Sequence, residues 1–305
     1  MSYQCICGLP SEFKFPLSSQ HFCPRCFSLK FEKKVLNRIP KHIRGHSIAV
    51  ALSGGKDSTT LLHIFHKYRH KLRIGMLFAI ILEEEIPEIQ SSRKKIINLL
   101  KDDYPNIGFI QKSYSQLFGF SLPYLVQQSD KQGLRFTPCS ICGVLRRHGI
   151  LRMSLDIGVD IIVMGNSLED EAETVFINLM RGNPLRNFRD QIEYSPADRK
   201  SLPFRIKPLA KVTEKSILNY SNINRLPFLS TQCAFAARSL RSVITPFLSA
   251  MQKKDPNILY NIVSSIKKVT TINTQYKIVS KCNNCASYSP TPVCSACRIV
   301  HQIIN

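Results

Sequence analysis

Ser53-Gly54-Gly55-Lys56-Asp57-Ser58 combines the groups needed to hold a phosphate. Paired glycines let the backbone take positive φ and leave no Cβ between the main chain and an oxyanion. Lys56 adds a mobile positive charge, and Ser53 and Ser58 add hydroxyl donors. Asp57 repels a bare phosphate, so it implies either a helix N-cap or a Mg²⁺ held beside the phosphates. The spacing is not the G-x-x-x-x-G-K-[ST] of a Walker loop. The simpler alternative is a Gly-Gly turn before an ordinary helix. The coincidence of apolar run, glycines, lysine and helix favours the nucleotide site.

The second chemistry in the chain is that of thiolates. Eleven cysteines is an odd number, and most are paired at metal-ligand spacing, which argues for a reducing compartment and against a disulfide framework. Cys5, Cys7, Cys23 and Cys26 make one set of four and Cys282, Cys285, Cys294 and Cys297 another. Each set is expected to bind Zn²⁺, which would supply the folding energy that so short a segment lacks. Cys5-x-Cys7 is tighter than the usual C-x-x-C, and His21 could replace one cysteine there. Cys139, Cys142 and Cys233 remain. Cys139-x-x-Cys142 opens a helix, where thiolates are favoured by the helix N-terminus. Cys233 could join the pair from the far side of the sheet.

The elements that must position these groups alternate. Ile48 to Leu52 reads as a strand feeding the glycines, and Thr59 to Phe65 as the helix after them. Leu72 to Leu82 reads as a second strand, Pro87 to Leu100 as a helix, and Ile107 to Ile110 as a short strand. Ser113 to Pro138 is polar and irregular, and a basic helix follows the cysteine pair. Asp160 to Gly165 is the next strand, running into a helix that ends at Met180. A linker helix is expected over Phe31 to Arg44, and helices at Thr213 to Asn224, Leu240 to Met251 and Ile258 to Lys268. Such alternation predicts an α/β fold with a parallel sheet and ligands at the carboxyl ends of its strands. Acids lie at two such ends. For Asp170 the expected role is placing a metal–nucleotide complex. Glu171 and Glu173 suit a helix N-terminus on structural grounds, and Glu83 to Glu85 read first as a solvated charge run, with ribose or metal contact as the alternative.

Lys and Arg number 42 against 21 Asp and Glu, a net charge of +21. A polyanion is therefore the expected partner, nucleic acid first. Basic residues concentrate in the loop Arg181 to Arg189 and from Arg205 to Lys281, where only Glu214 and Asp255 are acidic. The longest apolar run, Ile74 to Leu82, is nine residues, too short to cross a bilayer. No membrane association and a cytoplasmic location are expected.

Ser53-Gly54-Gly55-Lys56-Asp57-Ser58 looks like the SGGxDS PP-loop of ATP pyrophosphatases. Together with Pro138 to Gly143, Gly165 to Gly182, Ile206-Lys207-Pro208-Leu209, Cys233 and the two cysteine modules, it resembles the tRNA 2-thiouridine synthetases of the TtuA type over nearly the whole chain. The resemblance implies an adenine nucleotide α-hydrolase-like sheet of the PP-loop ATP pyrophosphatase type, with zinc modules at residues 1–30 and 276–305. It implies a catalytic domain at 31–225 and a basic helical region at 226–275. Ser53, Gly54, Gly55, Lys56, Asp57 and Ser58 would bind ATP, with Gly165 and Asp170 beside them and Mg²⁺ as the counter-ion. Cys139, Cys142 and Cys233 would hold a [4Fe–4S] cluster with one iron open for sulfur. The partners implied are tRNA, a sulfur donor that is either sulfide or a ubiquitin-like carrier, and a second copy in a homodimer.

Three departures from the family pattern stand out. Gly165-Asn166-Ser167-Leu168-Glu169-Asp170 replaces Gly-His-Asn-x-Asp-Asp, Arg146 stands where a lysine is expected, and the flanks of Cys233 are not Cys-Pro-Tyr. The activity implied is ATP-dependent uridine 2-thiolation through an adenylate, releasing AMP and pyrophosphate. The alternatives are another adenylating tRNA enzyme, forming 2-thiocytidine or lysidine, or a nucleic-acid-binding metalloprotein without catalysis.

Overall fold

The computed structural model describes residues 3–182, 202–269 and 280–305. Arg186 and Arg189 of the expected basic loop lie outside them. The chain opens with a small hairpin, β1 (Phe13–Lys14) and β2 (His21–Phe22), followed by α1 (Pro24–Leu36). The helix starts inside the first cysteine module, because Pro24 is suited to a first helical turn whose N–H is unpaired in any case.

The main sheet is built from β3 (Ile48–Ala51), β4 (Leu77–Glu83), β5 (Gly108–Ser113), β6 (Ile161–Val163) and β7 (Phe204–Ile206). Its order is β5-β4-β3-β6-β7 and every pairing is parallel. Between the strands run α2 (Lys56–Lys67), α3 (Arg69–Leu72), α4 (Pro87–Asp103), α5 (Tyr114–Phe118), α6 (Leu122–Lys131), α7 (Pro138–Asp156) and α8 (Leu168–Met180). After β7 come α9 (Glu214–Ile223), α10 (Arg241–Lys254), α11 (Ile258–Val269), the hairpin β8 (Ser280–Lys281) with β9 (Tyr288–Ser289), and α12 (Ser295–Ile304).

Strand residues alternate between two cores. Ile48, Val50, Leu77, Ala79, Ile81, Ile161 and Val163 face one side, with α1, α2 and α9. Ala49, Ile80, Leu82 and Ile162 face the other, with α6, α7 and α12. Each fully buried Ile, Leu, Val or Phe contributes about 1.5–3 kcal/mol by leaving water, so coverage on both faces is what makes short strands stable. A third apolar cluster joins α8 to α10 and α11 through Leu168, Ala172, Ile244, Leu248 and Leu259. Both cysteine modules share these cores: Cys5, Phe15, Phe22 and Cys23 belong to the first, and Cys282, Cys294, Ile299 and Ile303 to the second.

Three sequence expectations are corrected. The second strand begins at Leu77 rather than Leu72, because Arg69–Leu72 continues as a helical turn that ends at Arg73 with φ of 53°. Ser113 to Pro138 is not irregular: Ser113 caps α5 in a capping box with Gln116, and Ser121 caps α6. The linker helix ends at Leu36, so Lys41–Ile43 forms only a 3₁₀ turn before β3.

A buried carboxylate ties the first module to the sheet. Glu32 on α1 is 1% exposed and accepts hydrogen bonds from Lys67 Nζ (2.7 Å), Tyr220 Oη (2.6 Å) and Tyr68 Oη. Burial opposes its charge, but these three donors override it and hold its pKa below the usual carboxylate range. Because the folded pKa is depressed, the stabilisation is present above the unfolded pKa and is lost as pH falls through the folded one. Glu32→Gln should cost about 1–3 kcal/mol near neutral pH. Thermal unfolding of both proteins should show the gap closing as the pH is lowered below 4.5, the ordinary value for this carboxyl.

Candidate active site and metal centres

The phosphate loop sits where β3 ends. Gly54 has φ of +86°, a conformation that glycine alone adopts without strain, and Gly55 is the N-cap of α2. The N–H groups at the start of α2 lack intrahelical partners and point with the positive end of the helix dipole at the loop. Its shape is fixed by serines: Ser53 N donates to Ser58 Oγ (3.2 Å), Ser58 Oγ donates to Gly55 O (3.0 Å), and Gly55 N donates to Ser53 Oγ (3.3 Å). Lys56 Nζ is held by Glu214 Oε2 at 3.1 Å and by Asp57 Oδ2 at 3.4 Å.

Gly165 brings the second acid-bearing loop against this turn. A Cβ there would stand 3.2 Å from Ser58 N and 3.3 Å from the Asp57 carbonyl carbon, closer than the packing allows without a shift. Asp57 lies in the first turn of α2 and does not cap it, which removes the N-cap alternative. Its Oδ1 is buried without a hydrogen-bond partner. Burial pushes the Asp57 carboxyl up to about 6, Lys56 opposes the rise, and Asp170 and Glu214 add to it. A buried, unpartnered carboxylate oxygen beside other acids has the donor chemistry that a hard divalent cation satisfies.

Asp170 closes a capping box with Ser167 at the start of α8, and its Oδ1 lies 3.4 Å from Arg241 Nη1. Glu169 Oε2 accepts Glu214 N at 2.9 Å, and burial raises its carboxyl to about 7. Glu171 pairs with Lys207 and Glu173 with Arg241 and Thr245. The run Glu83 to Glu85 is engaged by protein partners: Glu83 accepts from Gln111, Glu84 from Arg93 and Arg146, and Glu85 from Ser115 N and Oγ.

Cys139 lies in the first turn of α7, capped by Thr137, and Cys142 at the start of the second; Cys139 is exposed and Cys142 buried. Arg146 Nη2 lies 3.2 Å from Cys142 Sγ, while Tyr114 Oη donates to the Cys142 carbonyl at 3.0 Å. Burial pushes the Cys142 thiol up, and Arg146 pulls against that rise. Cys233 packs on the same apolar cluster as Cys142. It follows Leu229, whose N–H donates to Gly54 O at 2.7 Å, so one segment reaches the phosphate loop and carries the third cysteine. Among the described residues, only the two four-cysteine sets bring three or more ligand atoms within 4.8 Å of one another. Cys139, Cys142 and Cys233 are not gathered within that distance, which does not suit a single ion.

Each four-cysteine set has the donors and closeness for tetrahedral Zn²⁺. In the C-terminal set, Cys294 N donates to Cys282 Sγ (3.2 Å) and Cys297 N to Cys294 Sγ (3.3 Å), contacts that favour ionised sulfur. His21 is not part of the N-terminal set: its ring stacks on Tyr3 with centroids 3.9 Å apart.

The PP-loop domain model matches residues 28–248, spanning the loop, the cysteine pair, the acid-bearing helix and Cys233. The chain belongs to the PP-loop family. It is 31% identical over 302 residues to the cytoplasmic tRNA 2-thiolation protein 1 of Drosophila mojavensis, covering 97% of this chain and 86% of that protein. The corresponding protein of Drosophila grimshawi is similar to the same extent. In three dimensions the chain is similar to the U34-tRNA thiolase NcsA from Methanococcus maripaludis, solved with its [4Fe–4S] cluster. That superposition has a TM-score of 0.83 at 25% identity and covers 99% of this chain and 97% of the other. The expected parallel α/β fold and family resemblance therefore stand.

Glu214 is a site-lining residue that the sequence did not single out, whereas Glu84 was read first as part of a solvated run and is buried and paired instead. Glu214 follows Thr213, a legible N-cap, but its approach to Lys56 spans 158 positions and has no local signal.

Two measurements follow. Lys56→Ala should weaken ATP binding by about tenfold to a hundredfold by calorimetry, the loss of one charge-assisted contact of about 1.5–3 kcal/mol. Protein purified without chelator should carry two equivalents of zinc by elemental analysis, and Cys294→Ser should lose one and unfold at lower temperature.

Proposed function

We propose that this protein is an ATP-dependent tRNA sulfurtransferase, which activates the C2 carbonyl of a uridine and replaces its oxygen with sulfur. Its homologues support this: the Drosophila relatives are tRNA 2-thiolation proteins, and the methanococcal neighbour is a U34-tRNA thiolase. By the same likeness, the target is uridine 34 and the setting is the cytoplasm. The observation that carries the proposal is the remainder of three cysteines outside the zinc-type sets, two opening α7 and one on the segment bonded to Gly54.

The uridine oxygen attacks the α-phosphorus of ATP, the bond to pyrophosphate breaks, and the oxygen becomes part of an AMP leaving group. A sulfide equivalent then attacks C2, the C–O bond breaks, and AMP departs with the former uridine oxygen. Lys56 exchanges Glu214 for a phosphate oxygen and offsets charge on the departing pyrophosphate. The first N–H groups of α2 hold the phosphates in place, and the paired glycines let them approach closely. Asp57 and Asp170 would hold Mg²⁺, which spreads the developing charge when bound. Cys139, Cys142 and Cys233 would hold the [4Fe–4S] cluster, which supplies an iron that no cysteine ligates and at which sulfur can sit. The four-cysteine sets are structural zinc sites. The strong positive balance of the chain suits an RNA backbone recognised by charge and shape, and the sulfur donor is sulfide or a carrier protein.

Anaerobically reconstituted protein given ATP, sulfide and tRNA should yield 2-thiouridine together with AMP and pyrophosphate. Cys139→Ala should reduce thiolation to background while leaving both zinc ions in place. Normal turnover by that variant would overturn the role given to the cysteine trio.

A further inference from the structure

Glu84 ends in neither solvent nor an open site. It is 3% exposed, its Oε2 is paired with Arg93 Nη1, and its Oε1 lies 2.8 Å from Arg146 Nη2. The same Arg146 nitrogen is 3.2 Å from Cys142 Sγ. Arg93 lies on the opposite side, against the phosphate loop: a Cβ built on Gly54 would stand 3.6 Å from Arg93 Cγ. A single buried carboxylate thus touches two cations, one reaching the loop and the other the sulfur.

We propose that Glu84 is a shared positioning residue, fixing the Arg146 donor on the Cys142 sulfur and, through Arg93, bracing the turn at Gly54. The proposal deepens the sulfurtransferase reading and rests on it. Without Glu84 the exposed Arg146 side chain is free to swing into water, and Arg93 is left buried as an unpaired cation. Two guanidiniums against one carboxylate leave an excess positive charge, which a metal-bound sulfur at Cys142 balances. Hydrogen bonds to ligand sulfurs are a recognised control on the potential of an iron–sulfur cluster, because they stabilise the more negative, reduced state. The arrangement also explains why an arginine works where the family pattern has a lysine. Its forked guanidinium is held by a carboxylate and still presents N–H to sulfur.

The test compares wild type, Glu84→Gln and Arg146→Gln, each loaded with cluster without oxygen. The midpoint potential is followed by electron paramagnetic resonance and ATP affinity by calorimetry. Arg146→Gln should shift the potential to more negative values with ATP affinity unchanged, and Glu84→Gln should weaken ATP binding by roughly tenfold. Should Glu84→Gln fail to fold, Arg146→Gln decides alone, since it leaves the Arg93–Glu84 pair intact. A wild-type potential in Arg146→Gln, or unchanged ATP affinity in a folded Glu84→Gln, would overturn the proposal. If Cys142→Ser retained the cluster, the assignment of the cysteine trio would fail first and take this role with it.

Discussion

Parallel pairing of β3 with β4 on one side and β6 on the other is the constraint on which the site depends. Parallel strands place all their carboxyl ends on one edge, and the connections there emerge side by side. The phosphate turn after β3, the glutamates after β4 and the acid-bearing turn after β6 are therefore neighbours because of backbone hydrogen bonding alone. Gly165 sharpens the arrangement by letting one turn rest directly on the backbone of the other. Register matters here, since a slip of one residue would exchange the two faces of each strand and bury the wrong side chains.

Onto that edge the chain adds elements from far along its length. Leu229 donates to Gly54, Glu214 reaches Lys56, and Arg241 reaches Asp170 and Glu173. Each contact places a residue from beyond Arg205 beside a group that precedes it in the chain. The acids at the centre are kept from mutual repulsion by these cations and by raised carboxyl pKa values, the pattern expected where a site awaits a charged ligand.

Much of this was legible in the sequence, for local reasons. Ile48 to Leu52 followed by two glycines and an apolar helix identified the phosphate turn, and the cysteine spacings separated two sets of four from the remaining three. The capping signals Ser113-x-x-Gln116 and Ser121-Leu122-Pro123 were also present, yet the polar composition around them suggested a loop. What composition and spacing could not reveal was the partner of a charge. Glu84 stands in a run of three glutamates that reads as solvent-facing. Only folding brings Arg93 from the next helix and Arg146 from 62 positions away to its two oxygens. His21 shows the converse: a metal-ligating residue at plausible spacing was claimed by an aromatic neighbour.

The packing of α12 on the core around α6 and α7 bears on how the molecule is made. The cysteine helix α7 leaves the ribosome well before Ile299 and Ile303, the side chains that close its apolar surroundings. Until those residues emerge, the apolar face of α7 lacks that part of its cover. The buried side of the cysteine helix is therefore completed late, once translation has delivered the tail.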